Sequence, residues 1–340
     1  MASEGHWSAA APMATARHFH SSTLLENGSV LTVGGTGLTG DLASVERYDS
    51  SEDCWHQAPP LATARYYHSA TRLNNGCVLV AGGFNGSYLR HAELYDPALD
   101  RWRSAGAMHA SHGLHSATLL ANGTVLVAGG YSDEGSFSKT EIFDPTQNTW
   151  LPGNALCMGR EYHTATRLHD QTVLLAGGIG ARGSVAAVEI YDAAGPHCLT
   201  GPSLAQQRMH HTATLLSDGR VLIAAGDDGA CNYVTDAVMY DPQTQRWLPA
   251  GSMVRGREYC TATRLSQDRV LIVGGDGAAG RLASCEIFEA TSNVWQRTAS
   301  LAAARYLHAA TRLLDGRVLV VGGVGSTGAL ASVEIFALGE

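Results

Sequence analysis

The sequence predicts an all-β chain: a seven-bladed propeller of four-stranded antiparallel blades, with the N-terminal strand completing the last blade. Three observations carry this. A unit recurs from starts at Met13, Leu61, Met108, Leu156, Leu204, Met253 and Leu301, with steps of 47 to 49 residues. Each unit has a short apolar run closing on two small residues, usually Gly-Gly. Trp55, Trp102, Trp150, Trp247 and Trp295 each stand six residues before the next start, and Trp7 stands six before Met13. A period in this range marks an array whose units bury their faces on one another.

Each unit holds four strand signals. The first is His-x-x-Thr-x-Leu, as in His68 to Leu73. A tight turn such as Asn74-Asn75-Gly76 follows. The second is continuously apolar (Val78 to Ala81), as a strand buried on both faces should be. It ends at pairs 34/35, 82/83, 129/130, 177/178, 274/275 and 322/323, all Gly-Gly, with Ala225-Gly226 in the fifth unit. The third reads Ala92-Glu93-Leu94-Tyr95 and stops at Asp96-Pro97, since proline cannot continue a ladder. The fourth carries the Trp. The last unit has no fourth strand, so a segment at 4–12 around Trp7 should supply it and remove the open sheet edges.

The Gly-Gly, Tyr and Trp pattern resembles the kelch-repeat family over essentially the whole chain. The Arg-x-x-His-x-x-Thr run ahead of the second strand resembles the bacterial form also seen in the propeller domain of galactose oxidase. The resemblance implies that loops joining fourth to first and second to third strands share one face, the usual binding face. It also raises copper: Tyr67-His68 and Tyr162-His163 match a Tyr-His pair that ligates copper in galactose oxidase-like enzymes. Because that His belongs to the repeat, the match arises almost automatically, so no metal ligand is assigned, and neither copper nor another transition metal is the favoured cofactor.

Composition excludes several classes. A net charge of −8 and a pI near 6.0 oppose a broad nucleic-acid or anionic-membrane surface. No apolar run reaches membrane-span length, and the N-terminal residues lack a signal-peptide pattern. Seven scattered cysteines without C-x-x-C read as free thiols in a reducing cytoplasm. Lys139 is the only lysine, a usage that suggests a GC-rich bacterial genome. A monomeric ring is expected.

Residues repeated sevenfold are scaffold, because ligands are rarely sevenfold symmetric; function should sit where the copies differ. His20, His68, His115, His163, His211 and His308, with Cys260 in the sixth unit, read as buried imidazoles satisfied by backbone. Arg17, Arg65, Arg160, Arg208, Arg257 and Arg305 face a matching column, Glu46, Glu93, Glu141, Glu189, Glu286 and Glu334, and suggest repeated ion pairs. His112 replaces the third Arg and Val238 the fifth Glu. If pairs form within a blade, Arg208 needs another compensator: Asp227 or Asp228 is expected, a carboxylate or phosphate ligand the alternative.

The two residues before each repeated His, and those after each Gly-Gly, vary. They mix acids, imidazoles, phenols and apolar groups, as a small-molecule pocket requires. Glu161 and Glu258 are candidate general acid and base, His210 a proton carrier, and Tyr162 and Tyr259 donors or orienters. Candidate ligand-binding residues are His18, Phe19, Tyr66, Tyr67, His112, Arg208, Asp227, Asp228, Tyr131 and Tyr306. The favoured reading is an acid–base enzyme, of isomerase, lyase or cyclase type and with or without a metal's assistance, acting on a polar metabolite; the alternatives are a protein-interaction propeller without catalysis and a copper-dependent oxidase resembling galactose oxidase.

Overall fold

The computed structural model describes residues 5–193, 195 and 198–339. Seven four-stranded antiparallel sheets follow one another around a ring. The first blade runs Ser21–Leu24, Val30–Val33, Val45–Asp49 and Cys54–Ala58 from the axis outward. The others repeat that order. The seventh takes its outer strand from the N-terminus: His6–Ala10 pairs antiparallel with Val333–Ala337, Trp7 opposite Phe336 and Ala10 opposite Val333. The expected closing segment thus pairs over five residues, inside the 4–12 range; residue 4 itself lies outside the described residues.

Burial explains the repeat. The four-residue apolar core of every second strand is buried, as in Val78–Ala81 and Val125–Ala128. Their side chains point both ways, into cores shared with the two neighbouring blades. One such core joins Leu79 and Ala81 of the second blade to Val125, Val127 and Phe143 of the third. Another joins Leu319 and Val321 of the seventh to Val30 and Tyr48 of the first. Burying one such aliphatic side chain contributes about 1.5–3 kcal/mol, so no blade is stable without its neighbours.

The Trp positions add a directional lock. Each indole Nε1–H donates to a carbonyl of the preceding blade: Trp55 to Ala11 (2.8 Å), Trp102 to Pro59 (2.7 Å), Trp150 to Ala105 (2.8 Å), Trp247 to Pro202 (2.7 Å) and Trp295 to Ala250 (2.7 Å). Trp7 makes the same bond to Ala299 at 2.9 Å. The closing strand therefore reproduces both the pairing and the inter-blade bond of an ordinary blade. In the fourth blade Cys198 stands opposite Tyr191, where the other blades have an aromatic partner.

The Gly-Gly pairs are steric necessities. Gly82 has φ +62°, and a Cβ there would sit 2.2 Å from the His112 carbonyl oxygen. Gly83 has φ +104°, and its Cβ would meet the Tyr66 oxygen at 2.7 Å. Ala225 takes this place in the fifth blade with φ +65°. Left-handed backbone costs a residue with a Cβ about 1 kcal/mol or more relative to glycine. Ala225→Gly should therefore raise the denaturation midpoint, by about 1 kcal/mol of stability, whereas Gly82→Ala should lower it by more than ~2 kcal/mol. Denaturant titration of the two variants checks both signs.

Candidate active site at the propeller axis

The site is built on a carboxylate clamp inside six of the seven blades. In the first blade Arg17 Nη2 donates to Glu46 Oε1 at 2.7 Å, while Nη1 donates to the carbonyls of Gly34 (2.9 Å) and Ser44 (3.0 Å). Glu46 also accepts the backbone N–H groups of Ala14 (2.7 Å) and Thr15 (3.1 Å). Arg–Glu pairs recur at Arg65–Glu93, Arg160–Glu189, Arg257–Glu286 and Arg305–Glu334, between 2.6 and 2.8 Å, all buried. His112 substitutes in the third blade, with Nε2 3.2 Å from Glu141 and Nδ1 2.9 Å from the Gly129 oxygen. With every group buried and paired, the clamp fixes the chain that leaves the Arg toward the axis.

The next three residues then take fixed roles. The first forms a backbone bridge to the residue after the Gly-Gly pair: His18 to Thr36, Tyr66 to Phe84, Glu161 to Ile179, Met209 to Asp227 and Glu258 to Asp276. This joins the two loop sets on one face, as expected. The second residue turns into left-handed backbone and faces the axis: Phe19 (φ 53°), Tyr67 (57°), Leu114 (59°), Tyr162 (51°), His210 (52°), Tyr259 (50°) and Leu307 (55°). Few non-glycine residues adopt this conformation, and bulky ones fewer. The scaffold thus carries strain at seven places to hold large side chains over the axis. The third is the repeated His, or Cys260. Together the second and third residues line an axial cavity of about 360 Å³.

The imidazole layer is structural, with a partner different from the expected backbone. His68 Nε2 meets Ser21 Oγ at 2.9 Å, and His115, His163, His211 and His308 meet Ser69, Ser116, Thr164 and Thr261 in the same way at 2.8 to 2.9 Å. Burial holds these rings neutral: His68, His163 and His308 titrate only at about 3. The pattern breaks twice. His20 faces a blade in which Ala309 replaces the Ser/Thr, and both its ring nitrogens lack a protein partner. Cys260 stands where Thr212 would have met an imidazole, and Thr212 Oγ1 turns instead to the Ala224 oxygen at 3.2 Å.

The layer above carries the chemistry. Glu258 Oε2 lies 2.6 Å from His210 Nδ1, and His210 Nε2 lies 2.8 Å from the Tyr259 hydroxyl. The His210 and Tyr259 rings stack, with centroids 3.9 Å apart. Tyr162 stands edge-on to His210 at 4.3 Å and to Tyr67 at 6.2 Å. The result is a carboxylate–imidazole–phenol relay beside two further phenols. Burial, then the charge of Glu258, pushes the Tyr259 hydroxyl well up; burial, then the neighbouring phenol of Tyr259, does the same to Tyr162. Both stay protonated at neutral pH.

Glu161 is separate. It is 7% exposed, Oε2 has no protein partner, and burial pushes the carboxyl up to about 7. Its charge acts on the Tyr88 hydroxyl, and Tyr88 packs edge-on to Phe84 and tilted against Tyr131. Tyr66 packs on Phe19, Tyr67 and Phe84. His18 lies against Phe19, and Tyr306 against Tyr259 with the Arg281 guanidinium 5.6 Å over its ring. Of these, Tyr66, His18 and Tyr306 touch the cavity-lining rings of Phe19, Tyr67 and Tyr259 without lining the cavity themselves.

Of the predicted residues, Phe19, Tyr67, Tyr162, His210 and Tyr259 line the cavity; Glu161, Glu258, His18, Tyr66, Tyr131 and Tyr306 lie outside its lining, and four others serve the scaffold. His112 and Arg208 point into their blades as clamp groups. Asp227 and Asp228 shape a turn: Asp227 accepts the Gly229 N–H at 2.6 Å, and Asp228 accepts Ala230 N–H and Asn232 Nδ2. Neither pairs with Arg208, whose nearest carboxylate influence comes from Asp236. Leu114, Leu307, His20 and Cys260 line the cavity without having been singled out as site residues. Leu114 and Leu307 share the repeat offset of Tyr67, and the Ser/Thr-to-Ala change at Ala309 was the readable signal for His20.

The kelch motif matches residues 27–62, 64–109, 114–155 and 208–254, just over half of the chain. No curated protein matches it. Among solved structures, a fungal alcohol oxidase of the AA5 family in complex with copper superposes with a TM-score of 0.84 at 16% identity, over 98% of this chain and 76% of that one. YjhT superposes with a TM-score of 0.64 at 16% identity, over 85% of this chain and 99% of that one. Identities this low show shared fold alone, but motif, blade count and ring closure agree: the chain belongs to the kelch-motif family.

Proposed function

We propose that the axial cavity binds a small polar molecule and moves protons on it. The observation that carries this reading is the Glu258–His210–Tyr259 relay at the cavity wall. An imidazole held between a carboxylate and a phenol can take a proton at Nε2 through Tyr259 while Glu258 supports the ring at Nδ1. Tyr162 and Tyr67 donate hydrogen bonds to ligand oxygens, while the Tyr259 hydroxyl passes the proton to His210. Glu161, poised near neutrality, is the second acid–base group. The pairing of one relay with one isolated carboxyl suits an isomerase, lyase or cyclase type of reaction, in which a proton leaves one atom and arrives at another.

Copper chemistry of the kind named for the fungal alcohol oxidase does not fit these residues. The Tyr67-His68 and Tyr162-His163 pairs spend their Nε2 atoms on Ser21 and Ser116. Among the described residues, the groups able to converge on a metal are Glu52, Cys54 and His56, and Cys157, Glu189 and Cys198, all outside the cavity lining. No step is routed through a metal.

The test is a panel of polar metabolites scored by thermal shift, followed by solvent-deuterium incorporation into any ligand found. His210→Ala and Glu258→Gln should each lower turnover by about 10²–10⁴-fold, and Tyr67→Phe should weaken binding with less effect on turnover. Ligand binding unchanged in His210→Ala, Glu258→Ala and Glu161→Ala alike would remove the assignment.

Glu161 gives an independent pH signature. Its folded value lies above the unfolded one, so its contribution to stability is full below about pH 4.3 and is lost as pH rises through about 7. Glu161→Gln should therefore gain on the wild type between pH 5 and pH 8, by about 2 kcal/mol after allowance for solvent screening. Urea unfolding at the two pH values measures it.

A further inference from the structure

We propose that the fifth blade holds a binding site for a small carboxylate, between the Arg208 guanidinium and the backbone N–H groups of Ala205 and Gln206, in the space that a glutamate side chain fills in the six other blades.

The six intact clamps define what belongs there. In each, one oxygen accepts the first backbone N–H after the unit start, as Glu286 Oε2 accepts Val254 at 2.7 Å. The other accepts the basic side chain and, in five of the six, the second N–H, as Glu286 Oε1 accepts Arg255 at 3.2 Å and Arg257 Nη2 at 2.7 Å. The third blade keeps the carboxylate although its Arg has become His112, so the carboxylate is the constant member.

The fifth blade has the complement. Val238 holds the register of the glutamates, opposite Ile223 and Pro249 as Glu93 is opposite Val80 and Ser104. Arg208 remains 2% exposed. Its Nη1 donates to the Asp236 carbonyl at 3.1 Å, its Nε has no partner, and no carboxylate among the described residues accepts from it. Neither the Ala205 nor the Gln206 N–H has an acceptor among the described residues. The neighbouring acids are committed: Asp236 to Ser252 Oγ at 2.6 Å, Asp227 and Asp228 to their own turn. By the repeat, these three donors hold the positions that meet two carboxylate oxygens in the intact clamps, with the Val238 methyls to meet the ligand's carbon. The equivalent clamps are reachable from solvent, since Glu93 and Glu286 each border a surface groove. A buried cation with unmet donors favours a charged, bidentate acceptor.

The test titrates the folded chain with acetate at constant ionic strength, by calorimetry and by thermal shift. Wild type should show saturable acetate binding and an acetate-dependent rise in Tm, with no comparable response to chloride or sulfate. Val238→Glu should fill the site from within: its Tm without acetate should exceed that of wild type, and acetate binding should weaken at least tenfold. Arg208→Gln, the second variant, should also lose acetate binding. The absence of saturable acetate binding to wild type overturns the proposal. So does an equal response to all three anions, or retention of acetate binding by whichever of the variants folds.

Discussion

Everything at the axis depends on a buried carboxylate clamp repeated around the ring. A guanidinium taken out of water is costly unless its hydrogen bonds are met by charge and by well-placed carbonyls. Here one Arg gathers the end of the second strand, the head of the third and a glutamate; that glutamate gathers two amides of the incoming loop. Four segments of a blade are thus fixed at one point. Removing either partner would leave the other buried and alone, so five of the seven blades keep both members. The third and fifth blades show the two tolerated exceptions: one exchanges the base and keeps the acid, the other deletes the acid and keeps the base.

The clamp's geometric consequence is the left-handed residue two places after each Arg. A sheet that simply ran to the axis would present alternating side chains up and down the channel. The forced turn instead projects one side chain per blade over the channel mouth and sets the next, an imidazole, into the wall below. The floor is nearly uniform because five of its seven places join blades to one another through hydroxyl–imidazole bonds. The layer above differs from blade to blade because no neighbour needs it. Glu258 and His210 come from successive blades, so their contact also depends on how the sixth blade docks on the fifth.

Much of this was legible in the sequence. Ring closure followed from one offset, because an indole that bonds to the blade before it must keep a constant distance from the next unit. The Arg and Glu columns announced their pairing through equal copy number and their matched places in the unit. Of the residues proposed for catalysis, Glu258, His210, Tyr259 and Tyr162 meet in space, while Glu161 stands apart. The sequence could not show that a first-position residue of one blade reaches the second-position residue of the blade before it, since spacing gives no radial direction. Nor could it separate His112, whose departure from the repeat is repaired in place, from His210, whose departure is not. The imidazole partners were missed because the Ser/Thr position that supplies them looked like ordinary strand sequence.

The closing strand also sets an order of events. His6–Ala10 finds its partner about 330 residues later along the chain, which at ribosomal speeds of roughly 5–20 residues per second means a wait of some tens of seconds. Throughout that wait Trp7 has no carbonyl to bond and the growing arc has two bare flanks. The first blade lacks its inner neighbour, and the newest blade lacks its outer one. The molecule's most exposed moment is therefore not in the finished ring but during its synthesis, and whatever shields an unclosed arc in the cell acts before the axial cavity exists.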